Sequence, residues 1–277
     1  MGRLSVPEIQ ARKGREPIVA LTAYDVVSAR LAEEAGVDLL LIGDSAAMVV
    51  LGHEDTLPIT MEEMLTFSRA VARGSERALL VGDLPFLSYQ TGPVEAIRNA
   101  GRFLKEGGCQ AVKMEGGQEV AEIVAAVVRA GIPVLGHIGL TPQRASALGG
   151  YRVQGRDLEG ARKLLADAEA LVEAGVFALL LECVPAELSR IITQRVPVPT
   201  IGIGAGPHCD GQILVFHDVV GLWPRFRPKF VRSYAELAPE IVRALRNYAQ
   251  DVRAGNFPGP EESFSLSEEV LKALTEG

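Results

Sequence analysis

Short, almost wholly apolar runs recur along the chain: Ile18 to Ala23, Leu39 to Ile42, Ala78 to Val81, Ala111 to Met114, Pro133 to Leu135, Ala178 to Leu181, Pro199 to Ile203 and Ile213 to Phe216. Between them lie segments of helical composition, among them Ser28 to Glu34, Met61 to Arg73, Val94 to Glu106, Glu119 to Ala130 and Leu158 to Ala174. Several stop at Gly36, Gly74, Gly107, Gly131 and Gly175, where a helix C-terminus takes a left-handed residue. Apolar strands each followed by a helix predict a parallel sheet buried on both faces. Eight such units fit the roughly 250 residues of a closed (β/α)8 TIM barrel, with an open doubly wound sheet as the alternative. A polar or glycine cluster follows nearly every run, as at Tyr24-Asp25, Gly43-Asp44-Ser45, Gly82-Asp83, Gly136-His137, Glu182 and His217-Asp218. In a barrel these positions converge on one rim, where such folds keep their chemistry. The segment Leu4 to Lys13 predicts a short helix plugging the opposite end, and Tyr234 to Arg253 the last helix. Residues 1–254 thus read as one barrel domain, and 255–277 as a loosely attached tail.

At 277 residues, 48% hydrophobic and 23% charged, the chain can fill a substantial core, which excludes intrinsic disorder. A formal charge of -7, without a basic block, argues against nucleic acid as a partner. The longest apolar stretch, Val37 to Leu51, is broken by Asp38 and Asp44 and falls short of the roughly 20 residues that cross a bilayer. The first residues lack a secretory core, and Val6 stands where a myristoylation signal needs Ser or Thr. A cytoplasmic protein is expected, with no membrane partner. Cys109, Cys183 and Cys209 are an odd, widely spaced set without a zinc pattern, consistent with reduced thiols.

Candidate chemistry clusters at the strand ends. Asp44 and Asp83 follow hydrophobic strands ending in Gly, as LLLIGDS and ALLVGDLP. Two carboxylates with open positions suit Mg2+, a hard ion that keeps waters or substrate oxygens. Each alone could instead cap the next helix; two near-identical contexts favour a joint role. Glu115, in AVKMEGG, offers a third oxygen, directly or through water. Lys113 precedes it by two residues, so in a strand both side chains face the barrel interior. A buried Lys needs an anion, either Glu115 as a structural partner or a bound substrate. His137, in PVLGHIGLTPQ, is a donor to a carboxylate or a satisfied core imidazole, and its context does not choose. Glu182 closes ALLLECVP; so apolar a strand raises a carboxylate's pKa unless a cation lies close, which suits a general base. The alternative is a buried Glu paired with an Arg. PTIGIGAGP fails the dinucleotide fingerprint, because Pro207 occupies the sixth position counted from Gly202; its glycines suit close approach of a ligand or a neighbouring strand. His53, His208 and His217 have no ligand spacing and receive no role.

Taken together, LTAYD, IGDSAAMVVLGHEDTLPIT, DLPF, VKMEGG, GHIGLTPQ, GGYRVQGR, LLECVP, IGIGAG and DGQILV followed by PKF resemble the ketopantoate hydroxymethyltransferase family, over the whole chain to about Phe264. The resemblance implies a (β/α)8 barrel in pantothenate biosynthesis, Mg2+, and 5,10-methylenetetrahydrofolate as co-substrate. It implies hydroxymethyl transfer to 3-methyl-2-oxobutanoate through a Mg2+-stabilised enolate, giving 2-dehydropantoate, in a cytoplasmic homo-oligomer, typically a decamer. Carried over by position, the metal ligands fall on Asp44 and Asp83, with Glu115 joining the metal environment. Keto-acid contacts fall on Asp44, Ser45, Asp83 and Lys113, and the proton acceptor on Glu182; His137 joins the substrate-binding candidates on its own rim position and not through the resemblance. Ala47, where Gly is common, and Met114, where Leu or Ile is usual, depart from the family pattern without removing a functional group. Arg144 and Arg152 both suit the folate's glutamate tail, and the sequence does not choose between them.

Two other readings stand beside this one. A Mg2+-dependent carbon-carbon lyase or aldolase on the same barrel would act on a 2-oxo acid without folate. A non-catalytic barrel would leave the acidic side chains facing one another at a cost, which argues against it.

Overall fold

A computed structural model describes residues 2–147, 149–222 and 227–276. Eight parallel strands, β1 (Ile18–Thr22), β2 (Leu39–Ile42), β3 (Leu79–Asp83), β4 (Ala111–Glu115), β5 (Val134–Gly139), β6 (Ala178–Glu182), β7 (Thr200–Ile203) and β8 (Gly211–Leu214), close into a barrel in chain order. The helices are α1 (Val6–Gln10), α2 (Val26–Glu34), α3 (Ala46–Val49), α4 (Met61–Gly74), α5 (Pro93–Lys105), α6 (Ala121–Arg129), α7 (Leu158–Glu173), α8 (Ala186–Arg195), α9 (Phe216–Val219), α10 (Leu237–Ala254) and α11 (Glu268–Thr275). The (β/α)8 TIM barrel is therefore observed, and the open sheet is excluded by the β1–β8 ladder, with Ile18 beside Gly211. A Cβ at Gly211 would lie 2.5 Å from the Ile18 carbonyl, so the closing strands meet where only glycine fits.

The strands carry two cores. Inside the barrel, Ile18, Ala20, Leu39, Leu41, Leu79, Val81, Ala111, Leu135, Ala178, Leu180, Ile201 and Ile213 pack together, and fully buried Ile9 of α1 seals the bottom as expected for the N-terminal plug. Outside, Leu40, Ile42, Leu80, Val112, Met114, Val134, Leu179 and Leu181 meet the helices. Gly82 faces outward under Phe103 of α5, whose ring would stand 2.2 Å from an added Cβ.

The structure corrects several boundaries. β3, β4, β5 and β6 run on through Asp83, Glu115, Gly139 and Glu182, because a backbone ladder continues regardless of side-chain polarity. The charged residues thus belong to the strands rather than following them. β8 ends at Leu214, and Phe216 opens α9. Gly36, Gly131 and Gly175 are left-handed as expected, but Gly74 and Gly107 are not. Gly74 ends α4 against the Val26 carbonyl, and the left-handed position after α5 falls to Gly108.

The expectation that both faces of every strand are covered fails at β1 and β8. Val19 is 51% exposed and Gln212 is exposed, while α10, the helix after the last strand, buries none of its residues. Leu237, Ile241, Leu245, Tyr248 and Val252 form an apolar stripe along α10 at helical spacing, open to solvent. The tail beyond Gly255 holds α11, also without a buried residue. No described helix is long and apolar enough to cross a membrane.

Candidate active site

Strand alternation builds the site. In β3 the interior positions read Leu79, Val81, Asp83; in β4, Ala111, Lys113, Glu115; in β5, Leu135, His137; in β6, Ala178, Leu180, Glu182. The period of two carries each strand from an apolar lower layer to a charged upper one. Register aligns that layer, with Asp83 opposite Lys113, Glu115 opposite His137 and Gly139 opposite Glu182.

Lys113 Nζ donates to Asp83 Oδ1 at 2.7 Å and to Glu115 Oε1 at 2.9 Å, all three side chains being buried. The structural pair with Glu115 therefore exists, and Asp83 completes it. Asp83 Oδ2 accepts from the Asp44 amide at 3.0 Å. Neither aspartate caps a helix: Ser45 occupies the cap position of α3, and both carboxylates turn to the barrel mouth. Tyr24 and Ser45 hydroxyls lie 2.8 Å apart on the same rim. His137 stands between two acids, with Nδ1 3.3 Å from Glu115 Oε1 and Nε2 3.3 Å from Glu182 Oε2. Both contacts are ion-pair distances whose angles fall outside hydrogen-bond geometry. His137 is therefore neither a hydrogen-bonded donor nor a satisfied core imidazole but a ring set between two carboxylates, and among the described residues no Arg pairs with Glu182.

The charges follow from that packing. Burial opposes ionisation of Glu115, but Lys113 and His137 outweigh it and hold the carboxyl down at about 2. Burial and Lys113 disfavour a proton on His137, yet Glu115 and Glu182 raise it to about 9. Lys113 stays charged despite burial because Asp83, Glu115 and Asp44 surround it. Burial, with Asp83 nearby, pushes Asp44 well above the usual carboxylate range. Burial raises Asp83 as well, although Lys113 opposes it. Asp44, Asp83, Glu115 and Glu182 thus share the mouth with Lys113 and His137, and a divalent ion beside Asp44 and Asp83 would favour the ionised forms that burial opposes.

Among the described residues, no three His, Cys, Asp or Glu side chains stand arranged to enclose a metal ion by themselves. Mg2+ asks for less, since one or two carboxylates with waters and substrate oxygens complete its octahedron. Asp44 and Asp83 fit that demand. Glu115, already engaged by Lys113, His137 and the Gln143 amide, fits the ion's surroundings better than its direct shell.

Sequence reasoning missed Gln143 and Tyr89. Gln143 Nε2 donates to Asp44 Oδ2 at 3.0 Å, and the Tyr89 hydroxyl lies 3.0 Å from Gln143 Oε1. The available signal was a polar residue just beyond β5, on the rim that holds the other candidates. Arg144 pairs with Glu119 on the wall of a cavity of about 220 Å3 also lined by Gly116, Thr141 and Lys163, whereas Arg152 is exposed. The glycines of IGIGAG serve neighbours, Gly206 lying against Ala186 of α8.

Fold and site together define a (β/α)8 barrel whose mouth buries a cluster of acidic side chains around Lys113 and His137. Solved structures of the same fold include a phosphonopyruvate hydrolase, 16% identical with a TM-score of 0.61, covering 99% of this chain and 96% of that one. A 2,3-dimethylmalate lyase is 18% identical with a TM-score of 0.58, covering 98% and 95%. The chain belongs to the ketopantoate hydroxymethyltransferase family, whose model matches residues 3–260. It is 60% identical to a 3-methyl-2-oxobutanoate hydroxymethyltransferase of Moorella thermoacetica, over 95% of this chain and 98% of that protein. It is 56% identical to those of Carboxydothermus hydrogenoformans, over 99% and 100%, and Thermus thermophilus, over 95% and 100%.

Proposed function

We propose that the protein transfers a hydroxymethyl group from 5,10-methylenetetrahydrofolate to 3-methyl-2-oxobutanoate, giving 2-dehydropantoate for pantothenate biosynthesis in the cytoplasm. The observation that carries this reading is the upper barrel layer itself: Asp83, Lys113, Glu115, His137 and Glu182 in register, joined by Asp44 from the neighbouring strand end. Asp44 and Asp83 would hold Mg2+, with Glu115 in its surroundings. When bound, that ion supplies Lewis-acid polarisation of the keto acid's carbonyl.

The chain's own groups account for the remainder. Ser45 and Lys113 border the keto acid, and Lys113 supplies fixed positive charge where negative charge develops. Glu182, the most exposed carboxylate of the set at 17%, is reachable by substrate and takes the C3 proton. The C3 electron pair then forms the carbon-carbon bond to the folate's methylene carbon as one of its two methylene-nitrogen bonds breaks, the electron pair going to that nitrogen, which takes up a proton. Hydrolysis of the remaining methylene-nitrogen bond, consuming one water, releases tetrahydrofolate and the hydroxymethylated product. A positioned base typically contributes about 10²- to 10⁴-fold, or roughly 3 to 5 kcal/mol.

The test is formation of 2-dehydropantoate from 3-methyl-2-oxobutanoate, with folate and Mg2+ supplied or withheld in turn. Product only when both are present supports the assignment; cleavage of a longer 2-oxo acid without folate points to the lyase instead.

We further propose a homo-oligomer in which a second copy covers the apolar stripe of α10 and the open face of β1. Val19 on β1, together with Val27 and Leu31 on α2, offers an apolar surface in the same chain that leaves α10 uncovered. Light scattering reads the number of copies, ten being what the family resemblance implies, and a monomer would overturn this assignment.

A further inference from the structure

Gln143 is an uncharged side chain, 3% exposed, in the midst of a charged layer. Its amide has one orientation. Nε2 lies 2.9 Å from the Leu84 carbonyl and 3.0 Å from Asp44 Oδ2. A carbonyl only accepts, so the nitrogen belongs on that side; the flipped amide would set oxygen against oxygen at both contacts. Oε1 is thereby turned to the Tyr89 hydroxyl, at 3.0 Å. That hydroxyl accepts from the Glu115 amide at 3.2 Å and lies 3.0 Å from the Glu115 carbonyl, so Tyr89 is anchored to β4 from two sides.

The main chain of the same residue makes a second tie. Pro142–Arg144 form a single 3-10 turn after β5, which aims the Gln143 amide at Glu115 Oε2, 3.1 Å away. One residue therefore holds carboxylates from two other strand ends, Asp44 through its side chain and Glu115 through its backbone. Among the described residues no donor reaches Asp44 Oδ1, so the bond to Oδ2 restrains the carboxylate and leaves the other oxygen without a protein donor.

We propose that Gln143 is a positioning residue for the divalent cation, orienting Asp44 toward it, and that Tyr89 locks the amide in the required orientation. This rests on the reading that Asp44 and Asp83 hold Mg2+. Side chains that orient metal ligands through hydrogen bonds typically govern affinity by about 10- to 100-fold.

The test uses Gln143→Met, which keeps length and volume and retains the backbone tie to Glu115 but loses the side-chain hydrogen bonds to Asp44, Leu84, Tyr89 and Gln90. Binding of Mg2+ alone is measured by calorimetry on the folded full-length protein, its fold checked by circular dichroism. A loss of about 10- to 100-fold in Mg2+ affinity is expected. Tyr89→Phe, which removes one restraint on Oε1 while the amide keeps its bonds to Leu84, Asp44 and Gln90, is expected to weaken Mg2+ in the same direction by less, and it carries the test should Gln143→Met not fold. In turnover assays the Mg2+ activation curve moves to higher concentration while its plateau is kept, an outcome that general structural damage would not give. Variants binding Mg2+ as tightly as wild type overturn the role of Gln143 while sparing the metal site. A wild-type protein that binds no Mg2+ overturns both.

Discussion

His137 illustrates how a single side chain at the mouth can serve two neighbours. Each ring nitrogen faces a carboxylate at 3.3 Å, so the ring ties Glu182, on β6, to the ion-paired Glu115 of β4. Glu182 is thereby held in place while remaining the most accessible acid of the layer. Replacing it with Gln keeps the shape and the contact with His137 but removes the proposed base. Keto-acid binding should therefore stay near wild type, and exchange of the C3 proton with solvent deuterium, followed by NMR, should slow by about 10²- to 10⁴-fold. Exchange at the wild-type rate would mean that another group takes the proton. At this scale much of the site was legible in the sequence. Asp44, Asp83, Lys113, Glu115 and Glu182 stand out because charge on an apolar strand is costly to bury without purpose. Gln143 and Tyr89 carry no charge, and their contacts span 99 and 54 positions to Asp44 and Gln143 respectively, so no local pattern announces them.

At the level of elements, two joints near the lower end of the barrel set how firmly it holds. The first is Glu33 at the end of α2, which accepts from Ser75 Oγ and from the amides of Glu76, Arg77 and Ala78, the turn that leads into β3. Partial burial works against the carboxylate, but these donors win and hold it at about 2, against 4.5 ordinarily. Because the folded value lies below the unfolded one, this stabilisation is complete above about pH 4.5 and is lost as pH falls toward 2. Wild type should therefore melt above Glu33→Gln at about pH 6, and the gap should narrow steadily between those limits in thermal scans. The second joint is Ile9, fully buried against the inner core. Ile9→Ala opens a cavity under the strands and should cost about 2 to 5 kcal/mol in denaturant unfolding, with the rim chemistry intact. The strands themselves were legible, since runs such as Leu39 to Ile42 are apolar on both faces. Their ends were not: Asp83 looks like a loop residue until the neighbouring strand supplies a ladder.

Across the whole molecule, the (β/α)8 architecture followed from eight apolar runs and the helices between them, yet one part of that expectation failed for a reason no single-chain pattern contains. An amphipathic segment in the last position of a barrel normally lies on the first and last strands. Here the α10 pattern is present, but none of its residues is buried. A periodic apolar stripe states that a surface is to be covered without saying by which molecule. If the cover is a second copy, melting temperature should rise with protein concentration in calorimetric scans, whereas a self-sufficient monomer would melt at one temperature throughout. Breaking the stripe with Leu245→Glu should shift the species to lower mass in light scattering. With a second copy as that cover, the naked flank of β1 and β8 would carry a consequence for how the protein is handled: dilution would act as a denaturant, and an assay run far below the association midpoint would report the chemistry of a barrel missing part of its wall.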